Sequence, residues 1–167
     1  MEILRAAALV FRSRARISAD DIPGAIADLE TLVREAPKDA RAKYLLGVTF
    51  VALAARQEDR SAASERARAV LEEARALDPD LAEAPRALAE LYFAQDRVVD
   101  AIREVNGVLA KDPDLPQANL VLGNIMKAQF VETRERTYRD QGEEHFRRVL
   151  AADPGEHMRY PFEIAGG

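Results

Sequence analysis

The phrase Asp-Pro-Asp-Leu stands at residues 78–81 and again, at an interval of 34, at 112–115. A turn-forming phrase repeated at a fixed interval constrains a fold strongly, because each interval must hold the same structural unit. Prolines mark the beat: Pro37, Pro79, Pro113 and Pro154, at spacings of 42, 34 and 41. Each closes an alanine-rich amphipathic segment. Twelve residues before them lie Ala25, Ala67, Ala101 and Gly142. Eight before lie Leu29, Leu71, Val105 and Phe146, and five before lie Leu32, Ala74, Val108 and Val149. A small residue with apolar ones at +4 and +7 is one face of a helix. The small residue lets a neighbouring helix come close.

A second helical phrase precedes each of these. "YLLGVTF" (44–50) and "LVLGNIM" (120–126) share Leu-Gly, and "RALAELY" (86–92) carries Ala89 in the glycine's place. Asp80 with Glu83, and Asp114 with Gln117, have the spacing of capping boxes. Pro116 falls in the first helical turn, where its missing N–H costs nothing. The proline of each Asp-Pro-Asp-Leu ends one helix, its second Asp caps the next, and Leu81 and Leu115 staple the turn.

A helix–turn–helix unit of this period resembles the tetratricopeptide repeat (TPR). Leu88, Ala89, Tyr92, Ala101, Val105, Val108 and Pro113 carry the likeness in the cleanest unit, and it extends over about residues 6–155. The resemblance implies an all-α fold: a TPR-like α-solenoid of antiparallel helix pairs in a right-handed superhelix, with about eight helices and a short C-terminal tail. The units fall at about 6–39, 40–81, 82–115 and 116–155 of a single domain spanning 1–155, and 156–167 form a tail or cap. Gly47 and Gly123 are helix-packing glycines at the family position. The first unit departs from the pattern. Ser13 and Arg16 stand where Gly or Ala and a bulky aromatic belong, so its first helix is expected to be degenerate or a cap. Units two and four overrun the period, with the excess in 54–64 and 129–141. We expect the first helix of each to run on by one or two turns, either as a solvated extension or as a partner-binding protrusion.

Composition narrows the function. There are no cysteines, so disulfides, thiolate zinc sites and cysteine nucleophiles are excluded. The net charge of −5 speaks against nucleic acid as the main partner. The first helix runs the other way, with Arg5, Arg12, Arg14 and Arg16 against Glu2. No apolar run nears the ~20 residues of a membrane span. The apolar stretch 6–11 is too short for a signal peptide and is followed by arginines. That fits a cytoplasmic protein, or a periplasmic one if the chain is a fragment of an envelope protein. His145 lies beside Glu143 and Glu144, but neighbours in sequence diverge on a helix, so we expect a solvated face rather than a metal ligand. His157 has no evident partner. Asp20-Asp21, Glu72-Glu73 and Glu143-Glu144 read as caps and exposed faces. No phosphate-binding loop or nucleophile elbow occurs. We therefore expect no enzyme, no cofactor and no metal.

In the TPR family the first helix of each pair lines the concave side, and recognition commonly uses it. The resemblance places Arg41, Tyr44, Val48 and Val51 there from unit two. Unit three supplies Glu83, Arg86, Glu90 and Phe93, and unit four supplies Gln117, Leu120, Asn124 and Lys127. Val10, Arg14 and Ile17 are the corresponding positions of unit one. Family members that clamp a C-terminal carboxylate use a Lys/Asn/Asn/Lys/Arg set, of which only Asn124 matches. The mixed lining suits an extended or helical peptide with apolar anchors. The alternative is that Tyr44, Val48, Phe93 and Leu120 belong to inter-repeat core. The tail residues Met158, Tyr160, Phe162 and Ile164 are candidates to cover the exposed last repeat. The expected function is a non-catalytic scaffold binding a protein segment, in the manner of bacterial TPR proteins of envelope or exopolysaccharide assembly. Alternatives are a regulatory or targeting domain of a larger enzyme, or a self-assembling scaffold.

Overall fold

The computed structural model describes residues 2–152, with side chains from Leu4 onward. Expectations for Pro154, His157 and the tail lie outside the described residues. Within them the chain is all-α. The helices are α1 (Glu2–Ser18), α2 (Ile22–Glu35), α3 (Ala40–Ala54), α4 (Ser61–Leu77), α5 (Glu83–Ala94), α6 (Val98–Leu109), α7 (Pro116–Thr133) and α8 (Arg136–Ala152). They alternate as first and second helices of four repeats. Contacts gather them into two compact units, Met1–Leu91 and Tyr92–Gly167.

All twelve residues of the second-helix face are buried, from Ala25, Leu29 and Leu32 to Gly142, Phe146 and Val149. In the first unit Leu9, Ile22, Ile26, Leu29, Leu32, Leu46 and Phe50 form one core, joined by Ala67 and Leu91. Each large side chain sequestered there contributes roughly 1.5–3 kcal/mol. The glycines of the first helices act by close approach. A Cβ on Gly47 would stand 2.6 Å from Leu71 Cγ, and one on Gly123 would stand 2.9 Å from the Phe146 ring. Leu71 and Phe146 hold the same place in their repeats, so one contact recurs two repeats further along.

The turns inside the repeats also recur. Asp20 and Asp96 adopt the left-handed conformation at the same repeat position. Asp21 N–H donates to Arg16 O, and Arg97 N–H to Tyr92 O, at 2.8 and 2.9 Å. These are Schellman closures, and aspartate tolerates the left-handed position better than most residues. Asp21 then caps α2, its Oδ1 accepting from Gly24 N–H at 2.9 Å.

Several expectations need correction. In unit two the first helix is barely longer: α3 ends seven residues past Gly47, against five past Ala89 for α5. The excess goes instead to a six-residue loop (55–60) and to α4, which starts six residues before Ala67 where α6 starts three before Ala101. Asp59 fixes that start by accepting from the N–H and hydroxyl of Ser61. In unit four the expected lengthening is present, because α7 runs ten residues past Gly123. Arg134, at φ 61°, then closes a short turn into α8.

α1 is a regular helix of 17 residues. Ser13 is buried and donates its hydroxyl to Val10 O at 2.8 Å, so it serves as the small packing residue without an unpaired polar atom. The joints are also bonded differently from expectation. Asp78 and Asp112, the first aspartates of the phrase, accept from the N–H of Asp80 and Asp114 at 3.0 and 3.3 Å. Leu81 and Leu115 donate to the carbonyls of the same two residues. The second aspartate of the later phrase does not cap α7: the N-cap is Leu115, with no side-chain cap bond. An Asx turn across the proline engages the N–H of Asp114, and α7 starts at Pro116.

Candidate partner-binding face

α3 presents Arg41, Tyr44, Val48 and Val51 along one side, since spacings of three and four return to the same face. Arg41 is exposed and the other three are half-buried. Tyr44 packs against the cluster of Ala40, Ala74, Leu81 and Ala84, and Val51 against the larger core. Their inner edges therefore belong to the fold while the outer edges stay open. On α5, Arg86 Nη1 and Glu90 form an i,i+4 ion pair at 2.7 Å, so part of that charge is internally satisfied. Exposed pairs of this kind add little to stability.

In the second unit Phe93 lies half-buried near the end of α5, Leu120 and Lys127 are half-buried on α7, and Asn124 is exposed. None of these ten candidate residues is fully buried. Among the described residues no three His, Cys, Asp or Glu side chains gather to hold a metal ion. No helix of the described residues is long and apolar enough to cross a membrane.

His145 is half-buried, and its ring is engaged on the inner side. Its Nδ1 lies 2.8 Å from Asn119 Oδ1. Asn119 is fully buried, and its Nδ2 donates to Pro113 O and Leu115 O. The amide oxygen is thus the acceptor, and His145 must carry its proton on Nδ1. Burial, and then Arg148, push the imidazole below its ordinary range, with Glu144 acting in the other direction. The arrangement ties α8 to the joint before α7, a structural use of a histidine and an asparagine.

The paired glutamates divide among similar structural tasks. Lys43 reaches Glu73 between helices, and Arg68 bridges Glu65 and Glu72 within α4. Arg147 links Glu143 and Glu144. Sequence reading missed a buried acid. Asp28 on α2 is held by Arg12 and Arg16 of α1. The signal was available as three arginines at spacings of two and four, but they read as surface charge. It also missed Leu4 and Phe11, which stand exposed on α1.

Two tetratricopeptide repeat family models match the sequence, over residues 12–64 and 61–125, and together they run over more than half of it. A thermophilic TPR protein of Thermus thermophilus is 21% identical and superimposes at a TM-score of 0.78, covering 90% of this chain and 75% of that one. A crystal structure of MamA is 19% identical at a TM-score of 0.67, covering 89% and 78%. A second MamA structure gives 18% and 0.65, covering 97% and 79%. At such identities the likeness speaks to the fold. No curated protein matches the sequence. The recurring glycine contacts, the twelve buried second-helix positions and the two matching models agree: this chain belongs to the tetratricopeptide repeat family.

Proposed function

We propose that the protein is a non-catalytic scaffold that holds a peptide or helical segment of a partner on the open face of its first helices. The observation that carries this reading is the row Tyr44, Val48 and Val51 beside exposed Arg41. Three apolar side chains in one line keep an open edge on a helix whose opposite side already lies in the core. Such a row offers alternate-turn anchors to an apolar partner face, and the arginine adds a charge-assisted contact at its end. Leu120, Asn124 and Lys127 hold the same positions on α7, one apolar anchor with two polar contacts, and Phe93 adds an aromatic edge within that unit.

The setting we propose is a bacterial assembly of the envelope or exopolysaccharide-export type, on the strength of wording such as "GAIADLETLVREAPKDARAKYLLG". The test is a photo-crosslinker placed at Val48 in the native organism, with one at Arg103 as control. Capture of one partner from Val48 and not Arg103 supports the face. Tyr44→Ala with Leu120→Ala should then lose that partner at unchanged helicity. Retention of binding in the double variant would sink the reading. Fractionation of the captured partner into envelope or cytosol decides the setting.

A further inference from the structure

α1 and α3 run side by side in the same direction. Arg5 near the start of α1 pairs with Glu35 before the turn into α3, and Asp20 past the end of α1 pairs with Arg56 past the end of α3. The sides they turn to each other follow from the helical advance of about 100° per residue. Val48 and Arg41 fall in angle between Tyr44, which packs on the cluster holding Ala84 of α5, and Leu45, which packs on the core shared with α1 and α2. Both therefore turn toward α1. Val10 and Ile17 hold on α1 the places of Tyr44 and Val51, and so turn toward α3. Val10 and Val48 are half-buried, and Ile17 is 36% open. The valley between the two helices thus has an apolar floor. At the end beside the α2–α3 turn its charge is one-sided. Lys38 and Arg41 are exposed and make no ion pair among the described residues. The acids there are already engaged: Glu35 by Arg5, and Asp39 by the N–H groups of Arg41 and Ala42.

We propose that the partner segment lies in this valley and is acidic, with apolar side chains over Val10, Ile17 and Val48 and two or more Asp or Glu beside Lys38 and Arg41. The inference rests on the peptide-holding reading and adds the chemistry of the peptide. A segment that covers Val48 reaches Arg41, two turns or about 10 Å away. Covering that guanidinium without an acceptor costs free energy, whereas a carboxylate meets it with a charge-assisted hydrogen bond. A basic segment is repelled. The next valley, between α3 and α5, is the poorer match. Glu83 and Glu90 hold on α5 the places of Arg41 and Val48, and both are exposed. On a chain of net charge −5 the free cations of the first valley are a local exception, so they also steer an acidic segment to this end.

The test is selection of a random peptide library, displayed on phage, against the full chain. The expected peptides carry two or more Asp or Glu within a few residues of apolar side chains. Made synthetically, they should bind the Lys38→Glu, Arg41→Glu double variant about ten-fold more weakly than the parent by fluorescence anisotropy. Glutamate is tolerated in the first turn of a helix, so this variant should keep its helicity. Replacing the acids of a selected peptide by their amides should cost a similar factor on the parent and little on the double variant. Val48→Ser and Ile17→Ser leave the charges alone and should weaken every selected peptide at unchanged helicity. Selected peptides that depend on Val48 and Ile17 but show no preference for acids, or that bind the charge variant as well as the parent, overturn this inference and leave the peptide-holding reading in place. Failure to select any peptide, or peptides indifferent to Val48→Ser and Ile17→Ser, overturns both.

Discussion

Arg12 grips Asp28 with two parallel hydrogen bonds, Nε to Oδ2 at 2.8 Å and Nη2 to Oδ1 at 2.5 Å. Asp28 is buried between α1 and α2, and Arg16 Nη1 adds a third contact at 3.0 Å. The Arg12 bond holds the carboxyl below its usual range; burial opposes this, and the charges of Arg12 and Arg16 reinforce it. A depressed folded-state value means stability that is present above the unfolded value and lost as pH falls through the folded one. Asp28→Asn should therefore cost about 1–3 kcal/mol at neutral pH. In urea titrations the gap between variant and parent should close as pH falls below about 4. A gap independent of pH would mean that shape, not charge, is what Asp28 supplies.

Gly47 and Gly123 face Leu71 and the Phe146 ring with no room for a methyl group. Neither neighbour is the loose end of a flexible chain, so the helices must part. Gly47→Ala and Gly123→Ala should each destabilise by about 1–3 kcal/mol. The cost of Gly47→Ala should shrink in a Leu71→Ala background, giving a measurable coupling in a double-mutant cycle. Additive costs would show that the contact is not what matters.

His145 donates from Nδ1 to Asn119, and its surroundings disfavour the cation. Nitrogen-detected NMR should find the neutral ring protonated on Nδ1. The proton-binding midpoint should lie below 6.5, the ordinary value. By the same linkage the stabilising contribution is complete above that ordinary value and disappears as pH falls through the folded-state midpoint. Asn119→Ala, which also releases the carbonyls of Pro113 and Leu115, should cost about 1–3 kcal/mol and move the His145 midpoint. An Nε2-protonated ring would refute the assignment.

The joint gives a comparison between two aspartates of one kind of phrase. Asp78 accepts from Asp80 N–H, whereas α7 takes no side-chain cap from Asp114. Asp78→Ala should cost about 0.5–2 kcal/mol, the range of a lost cap. Asp114→Ala should stay within about 0.5 kcal/mol of the parent. Thermal unfolding of the two variants checks the order, and equal losses would restore a capping role to the second aspartate.

The second helices were legible because burial alone dictates them. Ala67, Leu71 and Ala74 can only be spaced as they are if one face meets a neighbour. The long units were less legible. Residues 54–64 have good helix formers, and propensity favoured extending α3, yet Asp59 bonding to Ser61 gave the residues to α4 instead. His145 and Asn119 were hidden for a different reason. They lie far apart in sequence, and each alone is a polar residue on an amphipathic helix. Asp28 was missed likewise, because its partners sit on the preceding helix. The row of Tyr44, Val48 and Val51 is visible in sequence only through the repeat, since half-exposed valines look like core in any single window.

The Asx turn at each joint draws its bonds from inside the phrase: Asp78 serves Asp80 and Leu81, and Asp112 serves Asp114 and Leu115. Neither set of bonds needs the helices that follow. A chain spliced from Asp78 directly to Pro113, shorter by one whole period, would keep the same local bonding at the seam. Array length can thus be edited by whole periods without inventing a new turn, which makes the joint the natural site for recombination between copies of the unit.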